Sequence, residues 1–206
     1  ANIMKYPGER MNKPVFLKEV LVQEDELQKR VKELGEQITE DYKNSTKLVL
    51  VCILRGGVMF LTDLIRHIDL PHSVEFMAIS SYVVGNREST GQVRINLDLN
   101  VNIQGKDILI VEDIIDSGRT LASVMDLLSA RKPNSIEVCA LLDKSERREV
   151  QVPVRYIGFS IPNAYVFGYG LDLDELYRNL PYVGVVDEEK YQEHRKRFPE
   201  YYESIA

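Results

Sequence analysis

The sequence has few of the features that mark disulfide-stabilised, zinc-binding or membrane-spanning proteins. Its 206 residues include only two cysteines, Cys52 and Cys139. Each cysteine lies inside an apolar run, so we expect two buried thiols and neither a disulfide framework nor a zinc site. No apolar run approaches the length of a membrane span, and the first ten residues lack the apolar core of a secretory signal peptide. These absences predict a cytoplasmic protein with no membrane partner.

An excess of positive charge is also missing. The chain has 26 lysines and arginines against 32 aspartates and glutamates, which gives a formal net charge of −6. Nucleic-acid-binding domains usually present a basic face, so this balance predicts no nucleic-acid partner. A small phosphorylated ligand stays compatible, because it needs only a local cluster of donors. With 44% hydrophobic and 28% charged residues, the chain is typical of one globular domain, with room for a small appendage.

Two common nucleotide-binding motifs are absent as well, since no GxGxxG follows a predicted strand and GxxxxGK[ST] does not occur. What is present is an alternation of strand and helix patterns, and the β-branched run LVLVCIL is typical of a strand buried on both faces. The alternation predicts an α/β fold with a mainly parallel sheet. We predict strands at Val15–Val22, Leu48–Leu54, about Val74–Tyr82, Asp107–Asp113 and Ser135–Leu142, and helices at Glu24–Asn44, Val58–Ile68 and about Arg119–Arg131.

Two regions depart from this alternation. Val83–Gln104 is polar and weakly periodic, and we expect either a long mobile loop or a hairpin there. Loops of that length often act as functional lids. Beyond Lys144 the pattern changes to short strands and turns, and a polar helical tail begins near Asp187. We expect this tail and the N-terminal segment to form a small second lobe.

Residues able to carry chemistry concentrate at the end of one predicted strand, in the stretch VEDIIDSGRT at Val111–Thr120. Its second half, Asp116–Thr120, offers a glycine turn, two hydroxyls and backbone N–H groups at a helix start, which together suit a phosphate group. Open α/β sheets place their ligands at this end of their strands. The neighbouring carboxylates Glu112 and Asp113 suggest Mg²⁺, bound directly or through its waters. The alternative is that these acids only begin a helix and favour its dipole.

VEDIIDSGRT resembles the signature with which type I phosphoribosyltransferases bind PRPP (5-phosphoribosyl 1-pyrophosphate), in the form found in hypoxanthine-guanine phosphoribosyltransferases. Further segments resemble the pyrophosphate loop, the mobile catalytic loop and the purine-binding segments of that family, in the same order. They are LRGG at Leu54–Gly57, SSY and STG at Ser80–Tyr82 and Ser89–Gly91, LLDKSERR at Leu141–Arg148 and IPNAYVFGYGLDLDELYRNL at Ile161–Leu180. The resemblance covers about Leu48–Val186.

The resemblance implies a single domain with the type I phosphoribosyltransferase fold, in which a mainly parallel twisted sheet is flanked by helices. Its core would span about residues 24–160, and a small hood would comprise the N-terminal segment and about residues 161–206. The implied reaction transfers 5-phosphoribosyl from PRPP to N9 of hypoxanthine or guanine, giving IMP or GMP and pyrophosphate. The family uses Mg²⁺ and forms dimers or tetramers, so a homo-oligomer is expected.

On the PRPP side, the resemblance assigns Asp116 as the general base that takes the proton from purine N7 while N9 attacks the ribose C1. Glu112 and Asp113 match the pair that contacts the ribose hydroxyls and the magnesium shell. The matches to the 5-phosphate cradle are Ser117, Gly118, Arg119 and Thr120. The matches to the pyrophosphate contacts are Arg55, Gly56 and Arg178. The family also has a non-proline cis peptide at the position of Leu54–Arg55.

On the purine side, Lys144 matches the lysine that reaches purine O6, and its ammonium can donate a hydrogen bond but cannot accept one. It therefore suits a 6-oxo group and disfavours the 6-amino group of adenine. The resemblance further implies that Tyr165 stacks on the base, that the backbone of Val166 contacts it, and that Asp172 is a second magnesium ligand near the purine. Ser81 and Tyr82 match the loop that closes over the site. One departure is Ala164, where many relatives have a lysine.

Other interpretations remain open at this stage. A non-catalytic regulator that senses PRPP and binds nucleic acid is disfavoured by the net charge of −6. Transfer to xanthine is not excluded, whereas adenine is disfavoured by Lys144, and an oxidoreductase lacks its dinucleotide motif. The three histidines, His67, His72 and His194, show no partners in the sequence, and we expect solvated or capping roles. The tyrosines Tyr191, Tyr201 and Tyr202 are expected to pack or to pair subunits.

Overall fold

A computed structural model of the chain describes residues 13–81 and 93–203. These residues form two compact units, a larger one of residues 25–81 and 93–164 and a smaller one of residues 13–24 and 165–203. The elements in chain order are β1 (Leu17–Val22), α1 (Glu24–Asp41), β2 (Leu48–Leu54), α2 (Val58–Ile65), β3 (Ser73–Ser81), β4 (Val93–Leu97), β5 (Asp107–Ile115), α3 (Arg119–Ser129), β6 (Ser135–Asp143), a 3₁₀ turn (Ser145–Arg147), β7 (Tyr156–Ser160), β8 (Val166–Phe167), β9 (Val183–Val186), α4 (Glu188–Arg197) and α5 (Glu200–Glu203).

The larger unit is built on a six-stranded sheet with the order β4-β3-β2-β5-β6-β7. All neighbouring strands in it are parallel except β4, which pairs antiparallel with β3 at the edge. The central strand β2 is buried along almost its full length, as its unbroken apolar sequence predicts. Helix α2 packs on β2 and β5, and α3 packs on β6 and β4. The predicted α/β fold with a mainly parallel sheet flanked by helices is therefore confirmed.

Parallel order places the carboxyl ends of β2, β5 and β6 at one edge of this sheet. The segments that leave those ends are the three that the sequence analysis singled out: the loop at Arg55, the turn at Asp116 and the segment at Lys144. The core beneath them is apolar and includes Val51, Ile110 and Val138, all essentially inaccessible to solvent. The fold thus brings three motifs that are distant in sequence to one edge of one sheet.

The smaller unit consists of a three-stranded antiparallel sheet with the order β1-β9-β8, together with α4 and α5. Its core is aromatic, because Phe16 lies within 5.0 Å of the Tyr177 ring and 4.9 Å of the Tyr191 ring, measured between ring centres. Asp187 caps α4 by accepting a hydrogen bond from the Lys190 N–H, so the helix begins where the tail was expected to begin.

Several predicted boundaries need correction. Helices α1, α2 and α3 end two to three residues earlier than predicted. The residues after them form turns instead, closed by backbone hydrogen bonds over three residues, such as the one of 2.8 Å from the Ser45 N–H to the Tyr42 carbonyl. Strand β5 reaches Ile115, two residues beyond its predicted end, and β1 starts at Leu17 after a turn closed on Pro14.

The predicted excursion Val83–Gln104 contains the edge strand β4, antiparallel to β3, and this strand corresponds to the hairpin alternative. Residues 82–92 lie outside the described residues. Among the helices of the described part, none combines the length and the apolar composition needed to cross a membrane.

Candidate functional site

The turn between β5 and α3, residues 116–118, forms one wall of a cavity of about 270 Å³ in the larger unit. Gly118 precedes α3 with a φ of 84°, a backbone conformation in which a residue without Cβ is favoured. A Cβ at this position would lie 2.6 Å from the carbonyl oxygen of Val150, so space as well as conformation requires glycine. Arg119 and Thr120 then open the helix, where the first backbone N–H groups have no acceptor within the helix. The arrangement suits a bound phosphate.

The acid pair at the end of β5 has two different environments. Glu112 is buried, and this burial, with the neighbouring Asp113 carboxylate, raises the pKa of Glu112 well above its usual range. Asp113 is partly exposed, and its Oδ1 accepts a hydrogen bond of 2.7 Å from the N–H of Ile114. The two acids therefore differ in burial although they are adjacent in sequence.

The loop after β2 lies directly against Asp113. A Cβ at Gly56 would fall 1.7 Å from Oδ2 of Asp113, so glycine is required for this approach. The peptide bond between Leu54 and Arg55 is cis, as the resemblance implied. The structure therefore brings together Gly56 and Asp113, two predicted PRPP contacts that are separated by 56 residues in the sequence.

Lys144 follows β6 and lies beside the β5–α3 turn. Its backbone N–H donates to the carbonyl of Ile115 at 3.0 Å, and the residue is 8% exposed. Within the described part of the chain, the Lys144 ammonium takes part in no ion pair. A buried cation at this edge of the sheet is a donor available to an oxygen atom of a ligand.

Two neighbours of the turn were missed by sequence reasoning. Arg147 donates from Nε to Oδ1 of Asp116 at 3.0 Å, and Arg119 donates from Nε to Glu149 at 2.5 Å. Arg147 belongs to the quoted segment LLDKSERR and Glu149 follows it directly, but charged residues in a polar segment after a strand resemble solvated surface. Only the return of this segment across the turn reveals their partners.

The remaining predicted site residues belong to the smaller unit. Arg178 donates to the carbonyl of Gly170 at 2.7 Å, and its guanidinium lies 3.4 Å from Oδ1 of Asp172 and 3.0 Å from Oε2 of Glu175. Asp172 also accepts a hydrogen bond of 2.8 Å from the Glu175 N–H. The structure thus brings Asp172 and Arg178 together, as an ion pair within one short segment.

Tyr165 and Val166 stand at the start of β8. The Tyr165 side chain is 49% exposed, and its carbonyl accepts a hydrogen bond of 2.9 Å from the Val186 N–H. Val166 is buried and pairs with Val185. An exposed aromatic ring next to a buried strand is compatible with stacking on a planar ligand. Of the predicted loop residues, Ser81 ends β3, and Tyr82 lies outside the described residues.

Three expectations about isolated residues have clear outcomes. His194 is buried, not solvated: its Nδ1 lies 2.9 Å from the Tyr202 hydroxyl, and its ring packs on Phe16. The expectation for His194 was wrong because the sequence does not show that Phe16, which is distant along the chain, packs on this ring. Tyr191 packs in the aromatic core, as expected, and both cysteines are buried thiols without a disulfide.

A metal site made by the protein alone is not present among the described residues, since no three side chains of the His, Cys, Asp or Glu type come close enough to hold an ion. Mg²⁺ commonly takes only one or two carboxylates and completes its shell with water and substrate phosphates. The donor chemistry of Glu112 and Asp113 fits that second mode.

Comparison with known proteins agrees with this geometry. The phosphoribosyl transferase domain family matches residues 21–176. The hypoxanthine phosphoribosyltransferase of Salmonella typhimurium is 54% identical over 169 residues, which cover 82% of this chain and 94% of that protein. The hypoxanthine-guanine phosphoribosyltransferase of Dictyostelium discoideum is 52% identical over 178 residues, covering 85% and 98%.

Solved structures give the same result. A hypoxanthine phosphoribosyltransferase from Staphylococcus aureus superposes with a TM-score of 0.81 at 51% identity, covering 85% of this chain and 95% of the other. One from Trypanosoma cruzi superposes with a TM-score of 0.84 at 39% identity, covering 89% and 98%. A domain match over most of the chain and identities above one half lead to one conclusion: the chain belongs to the phosphoribosyl transferase domain family and, within it, to the hypoxanthine phosphoribosyltransferases.

Proposed function

We propose that this protein transfers the 5-phosphoribosyl group of PRPP to N9 of hypoxanthine or guanine, with release of pyrophosphate. The observation that carries the proposal is the meeting of the β5–α3 turn, the Gly56 loop and Lys144 at one edge of the larger unit's sheet, in a chain of this family. In the reaction the N9–C1 bond forms, the bond from C1 to the pyrophosphate oxygen breaks, and the proton on N7 leaves.

Asp116 is proposed as the acceptor of the N7 proton. Its carboxylate is partly exposed at the cavity mouth, and only Oδ1 is engaged, by Arg147. A carboxylate within hydrogen-bonding reach of a ring N–H can accept its proton in the transition state. The 5-phosphate would bind Ser117, Gly118, Arg119 and Thr120, where the helix start supplies N–H donors.

Pyrophosphate is proposed to contact Arg55, Gly56 and Arg178. Charge builds up on this leaving group in the transition state, and fixed cations there lower the barrier. Mg²⁺, held by Glu112 and Asp113 with Asp172 as a further carboxylate, would neutralise the phosphate oxygens of the leaving group. Closure of the loop that follows Ser81 would keep water from the reacting carbon.

Recognition of the base is proposed to depend on Lys144, Tyr165 and Val166. The ammonium of Lys144 would donate to purine O6, the exposed ring of Tyr165 would stack on the base, and the backbone of Val166 would contact its edge. A 6-amino group in place of O6 would leave the buried ammonium of Lys144 facing another donor, and such a mismatch discriminates strongly.

The deciding experiment is a spectrophotometric assay with PRPP and Mg²⁺, in which hypoxanthine, guanine, xanthine and adenine are offered separately. We expect magnesium-dependent turnover of hypoxanthine or guanine and none of adenine. Lys144→Ala should lower the rate and reduce the discrimination against adenine. PRPP binding without turnover of any base would reject the enzyme and favour a PRPP-sensing regulator.

Two finer proposals concern the setting of the protein. The buried, unpaired thiols of Cys52 and Cys139 fit a reducing compartment, so we place the protein in the cytoplasm. We also propose a homodimer or homotetramer, which light scattering coupled to size exclusion would distinguish from a monomer.

A further inference from the structure

The segment after β6, residues 145–150, lies against the β5–α3 turn and contacts it at successive positions. The backbone N–H groups of Glu149 and Val150 both donate to the carbonyl of Ser117, at 2.9 and 3.0 Å. Lys144, just before the segment, donates to the carbonyl of Ile115 at 3.0 Å. We call residues 145–150 the bracing segment.

The bracing segment and the turn approach each other closely at Gly118. A Cβ at Gly118 would lie 2.6 Å from the carbonyl oxygen of Val150 and 3.0 Å from Cδ of Arg148. Arg148 is itself anchored by a buried ion pair with Asp143 at the end of β6. The bracing segment is therefore anchored to the end of β6 and packed against the turn, so its position can determine the position of the turn.

Two ion pairs add side-chain contacts to these backbone contacts. Arg147 reaches Oδ1 of Asp116 at 3.0 Å, and within the described residues Oδ2 of Asp116 has no hydrogen-bond partner. Glu149 reaches Arg119, the first residue of α3, at 2.5 Å. One oxygen of Asp116 is thus held by the protein while the other stays available to a ligand.

These pairs are too exposed to matter much for stability. The side chains of Arg147 and Asp116 are 51% and 47% exposed, and those of Arg119 and Glu149 are 46% and 50% exposed. Ion pairs of this kind contribute about 0–1 kcal/mol to folding. We expect these ion pairs to act by positioning Asp116 and Arg119. Displacements of about 1 Å in groups at a reaction site can lower the rate by about 100-fold.

We propose that the bracing segment is a positioning element for the reaction, in which Arg147 orients the carboxylate of Asp116 and Glu149 holds Arg119 against the 5-phosphate. The proposal rests on the function proposed above, because it assumes that Asp116 receives the N7 proton. Arg147 is a positioning residue here, since it acts through Asp116 and need not touch the substrate.

The test compares R147Q, R147K and E149Q with the wild-type protein. Arg131→Gln is the matched control, because Arg131 makes an ion pair with Asp98 in the same unit, away from the turn. The single-turnover rate of IMP formation is measured with saturating PRPP, so that product release does not mask the chemical step. Thermal unfolding and IMP affinity by calorimetry are recorded for each variant.

We expect R147Q to lower the single-turnover rate by about tenfold, a part of the 10²–10⁴-fold that a general base supplies, with a melting temperature close to wild type. R147K should recover part of this loss, because an ammonium can still reach Oδ1. E149Q should weaken IMP binding severalfold, and R131Q should match the wild type.

Three results would overturn the inference. An unchanged or faster rate in R147Q, with an active wild type, would reject the positioning role and leave the proposed function intact. An equal loss in R147Q and R131Q that follows their melting temperatures would show a structural effect only. A wild-type protein that turns over neither base would reject the proposed function, and the inference with it.

Discussion

The β5–α3 turn and residues 168–178 differ in their backbone conformations and in the contacts that stabilise them. The turn follows a buried strand, uses one glycine with a positive φ, and is braced by a segment close in the fold. Residues 168–178 contain six positions with positive φ, four of them in residues other than glycine: Tyr169, Asp174, Glu175 and Tyr177. Such conformations persist only where the surroundings over-determine them, and each costs about 1–3 kcal/mol.

The C-terminal helices supply much of that support. The hydroxyls of Tyr177 and Tyr202 lie 2.8 Å apart, and Tyr202 also contacts Nδ1 of His194 at 2.9 Å. Asp174 accepts a hydrogen bond of 2.6 Å from the Tyr191 hydroxyl and pairs with Arg195 at 3.2 Å. We therefore expect substitutions in the turn to change mainly the reaction rate, and substitutions in residues 168–178 to change mainly the free energy of unfolding.

The largest expected effect is on chemistry, in Asp116→Asn. Asp116 is the proposed acceptor of the N7 proton, and an amide cannot take that proton, so the single-turnover rate should fall by about 10²–10⁴-fold. Stability should change by at most about 1 kcal/mol, because only an exposed ion pair is lost. Asp126→Asn, a substitution at an exposed position of α3, is the control. Rapid quench measures the single-turnover rate of both variants, and thermal unfolding measures their stability. A large drop in melting temperature would break the contrast between the two regions.

A pair of glycine substitutions compares the regions directly. Gly118→Ala and Gly168→Ala both force alanine into a left-handed backbone, at about 1–2 kcal/mol each. A Cβ at Gly168 would also lie 2.2 Å from the carbonyl of Tyr182, next to β9, whereas the Gly118 contact is with the bracing segment. We therefore expect G168A to lower the free energy of unfolding more than G118A, and G118A to weaken IMP binding more. Urea unfolding and calorimetry measure both, and the reverse ranking would contradict the comparison.

The same contrast explains what the sequence could reveal. Strand β2 and the turn were predicted because their signals are local: an apolar β-branched run, then acids, a glycine and hydroxyls. Lys144 and Arg178 were assigned through resemblance. The support of residues 168–178 by Tyr202 and His194 could not be predicted, since it depends on contacts between segments distant in sequence. Arg147 and Glu149 were missed for the same reason, as their partners become visible only when β6 lies beside β5.

Removing one hydroxyl tests the support of residues 168–178. Tyr202→Phe keeps the ring but removes the contacts with Tyr177 and His194, and we expect a loss of about 1–2 kcal/mol in the free energy of unfolding. Pyrophosphate affinity should fall as well, because Tyr177 directly precedes Arg178, a proposed pyrophosphate contact, and a displaced Tyr177 would displace Arg178. Tyr156→Phe is the control in the larger unit, where the lost contact is a hydrogen bond of 2.6 Å to Asp41. Equal effects of both variants on pyrophosphate binding would refute the link.

The smallest expected effect is a pH dependence that arises from His194. Burial, reinforced by the positive charge of Arg197, lowers the pKa of His194, so the folded protein keeps this ring neutral. Below about pH 6.5, where an unfolded histidine takes up a proton, the unfolded state binds more protons than the folded state. Stability should therefore fall as the pH drops from 7 toward the lowered pKa, by at most about 1.4 kcal/mol per pH unit for this one group.

The Tyr202 hydroxyl and the rings of Phe16 and Phe198 contact the ring of His194, and none of these three groups carries a negative charge that would stabilise a protonated histidine. Urea unfolding between pH 5 and pH 8 should show a shallower pH slope for His194→Gln than for the wild type. His67→Gln is the control for removing a histidine from the larger unit. An unchanged slope in H194Q would mean that the histidine is not a significant source of acid sensitivity in the smaller unit.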